Sequence, residues 1–313
     1  MFLGLICRGI CPELRTLQVD ISMPEADLTL FAKAPHLVPQ LQQLSLALSD
    51  VQSPGARLLL LGGPLRSLQL TALSLRVAGQ NLDTFAAQLC EELRPENQPR
   101  LVSLEMHCSR FYDDRSFQAF WSVFLKQLAV GPKIEVFGVS SLDFEGDVLI
   151  DLCRLLDQMP LLKDFRVTTY SDCQGSMDEL CAFFNSAFRP IRTFGCPMLP
   201  YRSRIDLLAS VAKNTRLRTL YCHKSTFDML VVEGGLADAG WLTDVCDLSC
   251  TLPEALSKTL ERNRRRHEHC RRSCSALVAA RKQKKTLMAL QQQLVVYIAR
   301  YMWNTRNLCV WDR

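Results

Sequence analysis

The feature that most constrains this chain is a short phrase that recurs along it. Leu-Arg-Thr-Leu stands at 14–17 and again at 217–220, with Leu65-Arg66-Ser67-Leu68 and Ile191-Arg192-Thr193-Phe194 as close variants. Looser copies of Leu-x-x-Leu-x-Leu fill the gaps: Leu41/Leu44/Leu46, Leu101/Leu104/Met106, Ile134/Phe137/Val139 and Leu162/Phe165/Val167. The first anchors fall at 14, 41, 65, 101, 134, 162, 191 and 217, in steps of 27, 24, 36, 33, 28, 29 and 26, with a mean of 29. A period of this length marks a unit too small to bury its own apolar face, which must stack on copies of itself. Such a stack grows linearly, so a chain of 313 residues needs no second core.

Each unit reads as strand, turn, helix, turn. The Leu-x-x-Leu-x-Leu segment alternates with period two, which sends its leucines to one side and the residues between them to the other. Helical stripes follow. One runs from Leu82 through Ala86, Leu89 and Leu93, with Asp83 as the expected N-cap. Another, after Asp114, carries Phe117, Phe120, Trp121, Phe124, Leu125 and Leu128 at three- and four-residue steps. Asp147 precedes Leu149, Leu152, Leu155 and Leu156, and Ser176-Met177-Asp178-Glu179 is a capping-box pattern before Leu180, Phe183 and Phe184. A further stripe after Ser203 joins Ile205, Leu207, Leu208 and Val211. Proline closes most helices ahead of the next strand, as at Pro99, Pro132, Pro160 and Pro190. Strand–helix alternation with short connections requires parallel strands and right-handed crossovers. Eight or nine such repeats are expected over residues 1–250.

Over about residues 11–250 this pattern resembles the ribonuclease-inhibitor-like class of leucine-rich-repeat proteins, whose repeats pair a strand with a true helix. The resemblance implies an α/β solenoid with parallel strands on the concave face, helices on the convex face, and a C-terminal helical cap. The chain departs from the class in two ways. The usual Asn after the third anchor is mostly absent, and the 36- and 33-residue steps imply local insertions. Leu70/Leu73/Leu75 also offers a competing register for the third repeat.

The outward strand positions follow from the alternation: Thr16, Gln18, Asp20, Gln43, Ser45, Ser67, Gln69, Thr71, Ser103, Gly138, Ser140, Asp164, Thr168, Thr193, Gly195 and Thr219, together with Glu105, His107, Arg166, Tyr221 and His223. A reader of phosphate or nucleic acid wants a row of Arg and Lys here, and Arg166 stands alone. The last five named are the side chains rich enough to anchor a protein partner. Their residue types point to a non-enzymatic protein-binding scaffold, against the plain alternative of a solvated ladder face.

At Thr251-Leu252-Pro253-Glu254 the pattern changes to a strong helix start. Residues 251–313 then read as a helical capping region. Leu256, Leu260, Asn263, His267, Cys270, Cys274, Leu277 and Val278 recur at helical spacing, with Arg262, Arg265, Arg266 and Arg272 mostly on the other face. The net charge of +5 conceals an asymmetry. Between Lys258 and Lys285 eleven Lys/Arg face only Glu261 and Glu268, a local +9 that leaves −4 for the rest. This run invites a nucleic-acid reading of helix 258–285, but it lacks interleaved aromatics and a known reader motif. A second helix, about 287–304, carries Leu290, Leu294, Val295, Ile298, Tyr301 and Met302. Its Leu294–Trp303 segment resembles the helical box by which repeat proteins dock on cullin ubiquitin ligases, which implies ubiquitin-ligase subunits as alternative partners. The tail also resembles C-terminal extensions on leucine-rich-repeat proteins of protists and large DNA viruses.

No catalytic signature stands out. Gly62-Gly63-Pro64 lacks the Lys-Ser/Thr of a phosphate loop, and there is no nucleophile elbow. His267, Cys270 and Cys274 share a helix face and could offer three metal ligands. A structural zinc site draws its ligands from two segments, however, and the apolar stripe accounts for the same positions. The expectation is neither enzyme, cofactor nor metal. Fourteen cysteines are scattered without paired spacing, several at apolar positions such as Cys90, Cys153, Cys181, Cys196 and Cys222. Free thiols in the cytoplasm or nucleus are the expected state. Met1–Cys7 reads as the end of a repeat helix and not as a signal peptide. No apolar run reaches the length of a membrane span, and a monomer is expected.

Overall fold

The computed structural model describes residues 13–22, 38–48, 65, 68–78, 82–108, 114–128, 133–142, 148–169, 178–185, 191–195, 210–211, 216–221, 242–246, 254–282 and 298. Among the described residues nine strands form one sheet: β1 (Thr16–Ser22), β2 (Gln43–Leu48), β3 (Ala72–Val77), β4 (Ser103–Cys108), β5 (Val136–Leu142), β6 (Asp164–Thr169), β7 (Thr193–Gly195), β8 (Thr219–Tyr221) and β9 (Asp244–Cys246). They pair in sequence order and every pair is parallel. Helices α1 (Leu82–Glu92), α2 (Asp114–Gln127), α3 (Val148–Asp157) and α4 (Asp178–Asn185) lie between successive strands from β3 to β7. The last described helix is α5 (Glu254–Lys282). One strand per repeat, in sequence order and parallel, with leucine anchors inward, is the leucine-rich-repeat solenoid.

The repeats are tied by one recurring bond pattern. The carbonyl of Arg15 accepts from the amides of both Gln42 and Gln43, and the carbonyl of Gln42 accepts from Thr71 and Ala72. The same pair of bonds recurs at the carbonyls of Thr71, Val102, Glu135, Lys163, Arg192 and Arg218. Side chains then fill the space behind the ladder. Leu17, Leu44, Leu73, Leu104, Phe137, Phe165, Phe194, Leu220 and Val245 stand in register across the nine strands, all buried. Burial of each such side chain stabilises the fold by about 1.5–3 kcal/mol relative to exposure.

Helices supply the second wall of this core. Phe85, Ala86 and Leu89 of α1, Phe120, Trp121 and Phe124 of α2, Leu152, Leu155 and Leu156 of α3, and Leu180, Phe183 and Phe184 of α4 are buried, as the helical stripes require. In α2, Trp121 meets Phe120 and Phe124 edge-on at 5.0 and 5.9 Å between ring centroids. Buried Asp151 of α3 is paired with Lys126 of α2 at 3.6 Å and with Arg154 at 3.4 Å, which satisfies an otherwise costly carboxylate. Asp83 lies inside the first turn of α1 instead of preceding it.

The third repeat takes the competing register. Its strand is Ala72–Val77 and its anchors are Leu70, Leu73 and Leu75, so Ala72, Ser74 and Arg76 face outward where Ser67, Gln69 and Thr71 were expected. The 24- and 36-residue steps become 29 and 31. Leu65 and Leu68 are buried as well, which explains why their spacing imitates an anchor set. Gln98 fixes the choice: buried, it donates through Nε2 to the Leu65 carbonyl and accepts at Oε1 from the Leu70 amide at 3.3 Å.

Helix α5 lies against the final strand. Leu256 and Leu260 join the apolar cluster that contains Leu242 and Val245. Asn263, also buried, donates through Nδ2 to the Leu242 carbonyl at 2.9 Å, and Arg264 bonds Asp244 at 2.6 Å. Arg262, Arg265 and Arg272 are exposed as the stripe implies, but Arg266 is half-buried. The side chains of Asp20, Thr168, Leu277 and Val278 lie outside what the structure describes, and so do Met1–Cys7, Cys196, Ser203, Cys222, His223 and the 287–304 helix apart from residue 298.

Candidate functional site

The outward faces of the strands form rungs, one residue per strand. The rung through Gln18, Ser45 and Ser74 continues as Glu105, Gly138, Arg166, Gly195 and Tyr221. Three of the five residues expected to anchor a partner therefore share one line, separated by glycines. This spacing sets the chemistry of the face. Adjacent parallel strands lie about 4.8 Å apart, so Glu105 and Arg166 are two strand spacings apart, and so are Arg166 and Tyr221. A glycine between each pair lets the longer side chains meet over the gap.

Arg166 occupies the centre. Its Nε and Nη2 donate to the two carboxylate oxygens of Asp164 on the same strand, at 3.2 and 2.8 Å. Its Nη1 lies 3.7 Å from Glu105 Oε1, across Gly138. On the other side its guanidinium carbon sits 5.4 Å from the Tyr221 ring centroid, across Gly195, in cation–π range. The hydrogen bonds that Arg166 donates to Asp164 raise its pKa above the ordinary value, with burial opposing them and electrostatic interactions with Asp164, Glu105 and Tyr221 adding to them. The guanidinium is thus a fixed positive charge held upright, while 47 % of the side chain is still open to solvent.

The two glycines leave no slack. A Cβ on Gly138 would approach Glu105 Cγ to 3.1 Å, and one on Gly195 would approach Arg166 Cγ to 3.2 Å. A Cβ at either position requires the bridging side chain beside it to give by a few tenths of an ångström.

His107 stands two residues beyond Glu105 on β4, in the next rung, between Arg76 of β3 and Ser140 of β5. Burial, with the Arg76 charge as a second cause, lowers its pKa from 6.5 to about 4, so it is neutral at pH 7. It is therefore a half-buried neutral ring beside the Glu105 rung. Arg76 was missed at the level of sequence because the other register hid it, although Leu70/Leu73/Leu75 carried the signal.

Other groups weighed in the sequence are also placed. Cys90, Cys108 and Cys270 are buried thiols, and none of the described cysteines is in a disulfide. Burial first, and Glu91 second, pushes the Cys90 thiol up to about 12, and its Sγ lies 3.7 Å from the Phe124 carbonyl. Among the described residues no group of His, Cys, Asp and Glu is placed to hold a metal ion, and no helix is long and apolar enough to cross a membrane.

No family model and no curated protein matches the sequence. Among solved structures the chain is similar to the leucine-rich repeat-containing protein LegL7 from Legionella pneumophila, with 12 % identity, 77 % of each chain covered and a TM-score of 0.44.

Proposed function

We propose that this repeat protein is a non-enzymatic binding scaffold whose strand face docks another protein, with Arg166 and Tyr221 at the centre of the contact. The observation that carries this reading is the rung Glu105–Gly138–Arg166–Gly195–Tyr221, in which an exposed arginine is braced on three sides. Arginine and tyrosine dominate the energetics of protein interfaces, and a braced side chain loses little freedom when a partner arrives. Structural glycines beside them keep the surrounding surface low, so a partner can close over the cluster and exclude water. The reading includes a solenoid of the ribonuclease-inhibitor-like class, a terminal region from 251 onward that covers the last repeat, and free thiols suited to a reducing compartment. Asn263 on Leu242 and Leu260 in the core support the covering role.

The test is affinity purification of the whole chain with mass spectrometry, run in parallel with Arg166→Ala and Tyr221→Ala. A protein recovered by the parent and lost by both variants supports docking on the strand face. Cullin and adaptor subunits recovered equally by all three would shift the function to the tail. Recovery of nucleic acid that vanishes steeply as salt rises would shift it to the basic helix.

A further inference from the structure

On the reading that the strand face docks a protein, the charges along the rung dictate what that protein brings to it. An exposed arginine at the centre of a face suggests a receptor for a carboxylate. The geometry around Arg166 points the other way. Its side-on edge, Nε and Nη2, is already closed on the two carboxylate oxygens of Asp164. Its remaining terminal nitrogen, Nη1, lies 3.7 Å from Glu105.

One guanidinium therefore serves two carboxylates. Among the described residues the side chains of Glu105, Asp164 and Arg166 make no hydrogen bond or ion pair beyond these. Nearby cations do not make up the deficit. Lys163 is held by Glu135 at 2.6 Å. Arg76, beside His107 in the next rung, forms no ion pair among the described residues. The two carboxylates share Arg166 unequally. Asp164 accepts two hydrogen bonds from it, whereas 3.7 Å is too long for one to Glu105. Glu105 is also the more open of the two, with 41 % of its side chain exposed against 18 % for Asp164. Its stem lies over Gly138, where an added Cβ would stand 3.1 Å from Glu105 Cγ.

A partner carboxylate arriving at Arg166 would come to rest against two others, and like charges brought together at an interface reject a partner. An ammonium or guanidinium would instead meet the acceptor that Arg166 leaves open, in a charge-assisted hydrogen bond. We propose that the protein docked on this rung places a lysine or arginine side chain against Glu105. Arg166 is then the brace of the acidic side chains, and the exposed ring of Tyr221 supplies contact area beside them.

The experiment selects short random peptides from a display library on the whole chain, with Glu105→Gln, Glu105→Lys and Tyr221→Ala in parallel. The parent is expected to enrich a motif with Lys or Arg at one fixed position. A synthetic peptide of that motif should bind Glu105→Gln about threefold or more weakly. Glu105→Lys should select Asp or Glu at the same position. Enrichment of Asp or Glu by the parent, or the same basic position selected by Glu105→Lys, overturns the proposal. If Tyr221→Ala loses the motif in that case, docking on the strand face still stands. A motif that survives in all three variants lies off the strand face, and the docking reading falls together with the proposal. The absence of any enriched motif counts against both in the same way. Unchanged thermal midpoints show that a loss of binding is not a loss of fold. Should Glu105→Lys, which sets a cation beside Arg166, fail to fold, the Glu105→Gln affinity decides alone.

Discussion

In strands β1 to β4 the centre of the inward ladder is leucine, at Leu17, Leu44, Leu73 and Leu104, and the next residue outward is Gln18, Ser45, Ser74 or Glu105. In β5 to β7 the centre is phenylalanine, at Phe137, Phe165 and Phe194, and the next residue is Gly138, Arg166 or Gly195. The backbone ladder is the same in both stretches. What changes is the distribution of bulk: rings inside with two glycines flanking Arg166 outside, against leucines inside with polar side chains outside. The rings stack along the strand direction of pairing, with centroids 6.4 Å apart for Phe137–Phe165 and 5.7 Å for Phe165–Phe194. Phe183 and Phe184 of α4 close on them from the helix side at 6.5 and 4.5 Å. A repeat fold tolerates either filling, because each repeat needs only to match its neighbours. The aromatic stretch is also where the outward face acquires its charged cluster, so the most interlocked core underlies the candidate interface.

The sharpest way to break this comparison is to empty the aromatic ladder. Phe165 touches three other rings, and Phe165→Ala should cost about 3–5 kcal/mol, more than Leu44→Ala in the aliphatic stretch. Urea midpoints of the two variants decide the matter; a smaller loss at Phe165 would mean that the rings add nothing beyond what leucine supplies.

Next in size is the end of the sheet. Leu260→Ala should cost about 2–5 kcal/mol if α5 belongs to the same core as the interior repeats. Arg272→Gln, whose side chain is 78 % exposed, should stay within about 0.5 kcal/mol. Thermal midpoints that ranked these two the other way would detach α5 from the repeats.

The register of β3 can be tested through His107. Its folded pKa, about 4, lies below the ordinary 6.5. The neutral ring therefore contributes stability that is fully present above pH 6.5 and is lost as pH falls toward 4. His107→Gln should flatten the stability profile in that window. Arg76→Gln should move the His107 titration upward, as followed by NMR; an unmoved titration would place Arg76 elsewhere and return the third repeat to the Leu65 register.

The smallest effect belongs to the rung itself. Glu105→Gln removes a half-exposed partner 3.7 Å from Arg166 and should change stability by less than about 1 kcal/mol. Gly195→Val, by contrast, should dislodge Arg166 from Tyr221 and weaken partner capture while leaving the urea midpoint nearly unchanged. Loss of the fold in Gly195→Val would show that the glycine serves packing and not the face.

Much of this was legible in the residues themselves. The Leu-x-x-Leu-x-Leu period determines a strand in every repeat, because alternation with period two has only one way to bury its leucines, and the helix between successive strands makes their pairing parallel. The helical stripes of α1 to α4 were equally plain, since 3.6-residue spacing of Phe, Leu and Trp allows one buried face. Glu105, Arg166 and Tyr221 were recognisable as outward and chemically rich. Two things needed the tertiary structure. In the third repeat, leucines at 65, 68, 70, 73 and 75 satisfy the anchor pattern twice, and local spacing cannot rank two equal solutions. The bonds of Gln98 and the in-register neighbours of β2 and β4 break the tie. The meeting of Glu105, Arg166 and Tyr221 on one rung likewise depends on the pairing register of five strands. That register is set by hydrogen bonds between repeats, so residues far apart in the chain become neighbours only when the stack forms.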